Sequence, residues 1–224
     1  MFWMVTACAE GAAEAAEPTW WQALAEKFSE VTPQSWIALA AMVALGVILL
    51  VIRRTSHAWS ARMIAFGGLC IALSYILSCI RLYRMPQGGS VTPGSMLPLM
   101  LFAATFGIGP GLLAGAIYGL LQYLQGGWFV NIWQFLLDYV LAYAAMGLTG
   151  IARHWEEHWG LYVAMVIAAA GRAISATLAG TLFWETAPWA SLVYNGTYLI
   201  PEIVICIMMA MLVAPTVMKV MKSV

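Results

Sequence analysis

Charge is what this sequence has least of. Only 9% of its 224 residues are Asp, Glu, Lys or Arg, against 63% that are hydrophobic, with a mean hydropathy of +0.85. Soluble domains carry roughly a quarter charged residues, so the deficit excludes a soluble fold and points to an integral membrane protein. The net charge is zero and no basic block occurs, which excludes a nucleic-acid partner. Histidine is nearly absent, with three copies, and the four cysteines (Cys8, Cys70, Cys79, Cys206) form no CxxC pair and no metal spacing. They read as small packing residues. No GxxxxGK[ST] loop is present and none of the three lysines follows a glycine-rich turn, so the chain does not hydrolyse ATP itself. No Gly-x-Ser-x-Gly elbow occurs, and "HWEEH" within 153–159 has the wrong order for an HExxH zinc site and reads as a solvated loop. An enzyme is not expected, nor a cofactor or a metal.

Long apolar runs take the place of what is missing. Residues 85–137 contain no Asp, Glu, Lys, Arg or His over 53 positions. One crossing needs ~20 residues, so this run holds two or three helices joined by uncharged turns. Strand alternation is absent, and helices satisfy their own backbone hydrogen bonds in lipid. Breakers and apolar length predict seven helices at about 34–52, 60–83, 95–108, 111–126, 130–151, 160–184 and 191–217. The third is short for a crossing, and "GIGPG" (107–111) is a tight helix–helix joint that Pro110 opens. The fold class expected is an all-α integral membrane bundle of six helices with one extra N-terminal transmembrane helix. Residues 1–33 form an amphipathic or flexible arm without the positive start of a signal peptide. Residues 34–58 form the accessory helix and a basic hinge, and 59–224 the six-helix domain.

The basic residues orient the bundle. Arg53, Arg54, Arg62, Arg153, Lys219 and Lys222 fall on one side of seven crossings, which favours a cytoplasmic C-terminus. Lys27, Arg81 and Arg84 fall on the other. That outer side then carries "RMPQGGSVTPGSMLP" (84–98), "GGWFVN" and "FWETAPWAS". The first is too rich in Gly and Pro for helix or strand. Together the three loops form a mouth.

Polar residues in membrane helices are costly and invite a functional reading. Here they fall in stripes: Asn131, Gln134 and Asp138 on one helix face, Tyr118, Gln122 and Gln125 on another, Asn195, Tyr198 and Glu202 on a third. Gln, Asn, Tyr and carboxyl groups suit a small polar ligand. Trp128, Trp133 and Trp189 fit an interfacial aromatic belt. Tyr139 and Trp184 fit a pocket, where rings beside a carboxyl attract a flat cation. Asp138 either receives such a ligand or pairs with Arg172. Glu202, after the helix-kinking Pro201, equally pairs with Arg172 or meets ligand. "ARMIAFGGLCIALS" spaces Ala61 with Ala65 and Gly68 with Ala72 at i, i+4, a flat strip for another helix of this chain or of a partner. "NGT" (195–197) matches a glycosylation pattern but enters an apolar helix and reads as coincidence.

Taken together, "MPQGGSVTPGSMLPLML", "GLLAGAIYGLLQ", "QFLLDYVLAY", "LAGTLFW" and "SLVYNGTYLIPE", in this order across about residues 60–217, resemble the thiamin-specific substrate-binding components of energy-coupling-factor transporters, the ThiT/YuaJ family. The N-terminal helix lies outside that resemblance. The resemblance implies a prokaryotic, multi-pass protein of the cell membrane that takes up thiamin. It also implies a partner module of one transmembrane coupling subunit and two ATPases, with the bilayer as surroundings. Asp138 and Tyr139 stand where the family has an acidic residue and Tyr in the vitamin site. Trp184 resembles the ring that stacks on the vitamin, and Asn195 a hydrogen-bonding residue. Tyr118, Gln122, Gly180, Arg172, Tyr198 and Glu202 complete the expected substrate-binding set. Ala176 and Ala190 depart from a family His and Tyr. Gly88, Gly89, Ser90, Thr92 and Gly94 are expected in a lid over the mouth, and the Ala61/Ala65/Gly68/Ala72 strip at the coupling partner. A stand-alone proton-coupled carrier, or a receptor for another vitamin or a pyrimidine precursor, is the alternative.

Overall fold

In the computed structural model the described residues are 60–223, apart from 87, 156–158 and 185. The N-terminal arm, the accessory helix, the basic hinge and most of "HWEEH" therefore lie outside the described residues. Six helices follow: α1 (Ala61–Cys79), α2 (Leu97–Phe106), α3 (Ile108–Leu124), α4 (Ile132–His154), α5 (Gly160–Phe183) and α6 (Pro188–Ser223). Four of them, α1, α4, α5 and α6, are long and apolar enough to cross a membrane.

The bundle inverts the usual distribution of side-chain size. Outward positions carry Ile64, Leu73, Ile76, Ile174, Leu182 and Leu212, which belong against lipid tails. Inward positions of α5 are Gly160, Ala164, Ala168, Ala176 and Ala179. Lipid supplies no hydrophobic drive between helices, so small residues that let backbones meet replace large ones in the interior. The contact of α3 with α4 is the extreme case. A methyl group added at Gly115 would stand 2.3 Å from the Tyr143 carbonyl oxygen, and one at Gly147 2.2 Å from the Leu112 nitrogen. Gly111, Gly115 and Gly119 repeat every fourth residue along this seam.

Helix α2 is too short to cross, at ten residues or ~15 Å. It survives in the membrane because Leu97–Thr105 are all buried by its neighbours. Helix α6, at 36 residues, is long enough at ~54 Å to pass well beyond a ~30 Å hydrocarbon core. It runs through Pro215 and extends six residues past its expected end at 217.

The loop before α2 is not free of strand. Tyr83–Arg84 (β1) pairs antiparallel with Ser90–Val91 (β2), in register Tyr83 to Val91 and Arg84 to Ser90. The Met85 N–H closes this hairpin on the Gly89 carbonyl at 2.7 Å. Gly88 turns it at φ +104°, a backbone shape that side chains disfavour.

Helix α4 is irregular. A π-helical turn covers Leu136–Leu141, and a 3-10 stretch covers Ala145–His154. Such deviations concentrate at functional sites. The Leu137 carbonyl inside the π turn is met by the Ser175 hydroxyl of α5 at 2.7 Å.

Candidate functional site

A cavity of about 480 Å³ opens at the hairpin end of the bundle, within the ~300–1,000 Å³ range of small-molecule sites. Its walls come from the end of α1, from α3, α4, α5 and α6, and from the segment before α2. Of the ten expected substrate-binding residues, all ten line it, although they span 85 positions of sequence, from Tyr118 to Glu202. Gly88, Gly89, Ser90 and Thr92 line it too, whereas Gly94 packs outside it, where an added methyl would meet Met209 Sδ at 2.9 Å.

The π turn brings Asp138 and Tyr139, neighbours in sequence, to one cavity. Gln134 Nε2 donates to Asp138 Oδ2 at 2.6 Å, fixing that carboxyl. Tyr139 Oη accepts the Trp128 N–H at 2.8 Å, which ties the loop before α4 to the pocket wall. Trp128 then meets Trp184 edge to face, with ring centroids 6.0 Å apart. Trp184 ends α5 and is 44% exposed, so the two indoles stand at the rim. Trp128, of the expected belt, also lines the cavity at 61% exposure, while Trp189, at 73% exposure, does not line it.

On α6, Tyr198 donates its hydroxyl to Asn195 Oδ1 at 2.6 Å, and Asn195 Nδ2 donates to the Ser191 carbonyl at 2.9 Å. The amide is thereby oriented, and Oδ1 keeps a second lone pair. Gly180 permits this helix to close on α5: a methyl there would sit 2.2 Å from Ser191 Oγ. On α3, Gln122 Nε2 donates to Tyr118 Oη at 2.7 Å, and Gln125 Nε2 to Ser78 Oγ at 2.9 Å.

Three expectations are corrected. Asp138 does not pair with Arg172 among the described residues; Arg172 instead donates to Tyr143 Oη at 3.0 Å and to Met96 Sδ at 2.8 Å, and lies 4.2 Å above the Tyr143 ring centroid. Glu202 does not take Arg172 either. Its carboxyl accepts the Thr92 N–H and hydroxyl and, at 3.2 Å, the Ser95 hydroxyl. It is therefore the anchor of the segment before α2. Asn131 leaves the polar stripe and caps α4, accepting the Trp133 and Gln134 N–H groups at 3.0 and 2.9 Å.

With Glu202 occupied by the loop, the acidic character offered to a ligand among the described residues reduces to Asp138. Arg81 and Arg84 line the cavity as well. Tyr143, Ser191 and Ser95 were not singled out in the sequence. The signal was present for Tyr143, which stands four residues after Tyr139 on the same helix.

The Ala61/Ala65/Gly68/Ala72 strip is exposed on α1, and a methyl at Gly68 would touch nothing within 4 Å among the described residues. Packing within the described bundle uses the opposite edge, Met63, Gly67, Cys70, Ser74 and Ser78. Arg62, Arg153, Lys219 and Lys222 gather at the end of the bundle away from the hairpin. There Arg62 donates to the Met221 carbonyl, and the other three residues share a second cavity. Among the described residues no group of His, Cys, Asp and Glu could hold a metal.

Residues 63–222 match the family described as thiamine transporter protein (Thia_YuaJ). The chain is similar to the thiamine transporter ThiT of Bacillus subtilis strain 168, 33% identical over 158 residues, which is 62% of this chain and 82% of that protein. It also resembles in fold the solved structure of ThiT from Listeria monocytogenes, with a TM-score of 0.62 and 20% identity over 71% of this chain and 96% of the other.

Proposed function

The chain belongs to the thiamine transporter protein family Thia_YuaJ, and from that premise we propose that its 480 Å³ cavity is the vitamin site of a multi-pass thiamin uptake protein. The observation that carries the reading is the convergence of Asp138, Tyr139, Trp184 and Asn195 on one cavity. Thiamin joins a positively charged thiazolium to an aminopyrimidine. Asp138 supplies the counter-charge in a place shielded from bulk water, where opposite charges attract strongly. Trp184 and Tyr139 supply ring faces. Asn195, held by Tyr198 and Ser191, supplies directional hydrogen bonding to the pyrimidine edge.

The hairpin and the turn through Thr92 act as the lid. Gly89 fits against Tyr198 so closely that a methyl would stand 2.5 Å from its ring, and its N–H faces Tyr194 Oη at 3.4 Å. Vitamin bound beneath it would bear on this contact. The end carrying Arg62, Arg153, Lys219 and Lys222 faces the cytoplasm, so thiamin enters from outside. Delivery relies on a transmembrane coupling subunit and two ATPases, and the small-residue strip of α1 is the docking face for that subunit.

Isothermal titration of the purified protein with thiamin and a panel of other B vitamins tests the assignment. Heat with thiamin, and none with uncharged vitamins, is expected. Heat with another vitamin and none with thiamin would overturn it.

A further inference from the structure

At the end of the bundle opposite the vitamin cavity, the last turns of α6 and the ends of α4 and α5 enclose a second cavity of about 630 Å³. Arg153, Lys219 and Lys222 line it, together with Trp155 at its edge and the apolar Ala214 and Met218 deeper along α6. We propose that it binds the phosphate of an anionic phospholipid, with the first carbons of the acyl chains against Ala214 and Met218. The inference does not depend on the thiamin assignment.

Three observations converge on this ligand. First, the lining is cationic. Among the described residues no Asp or Glu lines this cavity, since Asp138 and Glu202 both line the other one, while Glu156 and Glu157 lie outside the described residues. Lys219 and Lys222 have no hydrogen-bond or ion-pair partner among the described residues, whereas Arg153 spends one N–H on the Phe106 carbonyl at 3.3 Å. Second, the cavity is amphipathic in the direction a lipid requires. Its cations are exposed at the helix ends, Trp155 is 40% exposed beside them, and Ala214 is 2% exposed below. A free inorganic anion would need no apolar floor; a phospholipid does. Third, the site stands at the depth where headgroups lie. Helix α6 runs on past the length needed to cross, so Lys219 and Lys222 emerge at the interface. Basic pockets between transmembrane helices at this level recognise lipid phosphates.

Native mass spectrometry of the full-length protein, released from detergent with phosphatidylglycerol, phosphatidylcholine or inorganic phosphate, tests the proposal. Phosphatidylglycerol adducts are expected to survive and phosphatidylcholine adducts to be lost. Each basic side chain at an anionic surface is worth about fivefold, so K219A/K222A is expected to lower phosphatidylglycerol retention roughly 25-fold, and K219R/K222R to restore it. An unchanged far-ultraviolet circular dichroism spectrum and melting temperature in the same variants check that the bundle is intact. Equal retention of both lipids, or unchanged retention in an intact K219A/K222A protein, would overturn the proposal. Displacement of the lipid by millimolar inorganic phosphate would reassign the site to a free anion and overturn the lipid.

Discussion

Replacing Glu202 with Gln is expected to loosen the lid without disturbing the bundle. Glu202, Thr92 and Ser95 are 2%, 4% and 5% exposed, so water cannot step in for a lost partner. The native carboxyl accepts three donors: the Thr92 N–H, the Thr92 hydroxyl and the Ser95 hydroxyl. The amide of Gln keeps one oxygen, which can still accept the Thr92 N–H, and turns an NH2 toward the two hydroxyls, which can accept from it. The hydroxyl protons can re-pair, since Thr92 Oγ1 already reaches Ser95 Oγ at 2.8 Å. What is lost is the charge assistance of the carboxylate, about 1 kcal/mol for each bond that it accepted. Together, about 1–3 kcal/mol is removed from the closed loop, or roughly 5- to 150-fold in its opening equilibrium. Hydrogen–deuterium exchange resolved across 85–97 reads this directly: the Thr92 amide should exchange faster by that factor while α4 and α5 stay protected. Thiamin should also bind more weakly. Unchanged exchange at Thr92 would refute the anchoring role. Faster exchange with undiminished thiamin affinity would refute the lid.

Further outcomes follow from the same geometry. Asp138→Asn keeps a hydrogen-bonding partner for Gln134 but removes the counter-charge, so thiamin affinity should fall at least about tenfold, as the loss of ~1.4 kcal/mol implies. Trp184→Ala should weaken thiamin by a similar factor and abolish much of the ligand-induced quenching of Trp fluorescence; if both variants bind as the parent does, the site assignment is wrong. Gly180→Ala drives a methyl to within 2.2 Å of Ser191 Oγ and should cost about 1–3 kcal/mol of stability as overpacking. In the double variant with Ser191→Ala the melting temperature should largely recover, and failure to recover would show that the clash lies elsewhere. Gly68→Leu, on the open edge of α1, should leave thiamin binding intact and abolish uptake in cells carrying the coupling module; normal uptake would remove the strip from the docking face.

The positions of the six described helices were legible in the sequence because lipid imposes length and breakers mark ends. The segments expected at 111–126 and 160–184 are Ile108–Leu124 and Gly160–Phe183. The cavity was legible as three polar stripes, since a polar group inside a membrane helix has few places to point. What a stripe does not reveal is the identity of the group it meets. Asn131 shares a face with Asp138, yet it closes the start of its own helix. Glu202 shares a face with Asn195, yet it meets a backbone N–H 110 residues away. The two-residue strands were not legible because their pairing depends on the anchored turn beside them rather than on propensity. The π turn has no local signature either, because its spare carbonyl is answered by Ser175 from another helix.

The glycine seam between α3 and α4 sets a mechanical limit. Where main chains touch without intervening side chains, there are no rotamers to absorb a slide, and any shift along the seam drives atoms directly into one another. These two helices must travel as a single plate, carrying Tyr118 and Asp138 at constant separation whatever else happens. If cargo is to be released toward the opposite membrane face, the yielding parts have to be sought elsewhere: in the hairpin, in α1, and where α6 crosses its two prolines, Pro201 and Pro215.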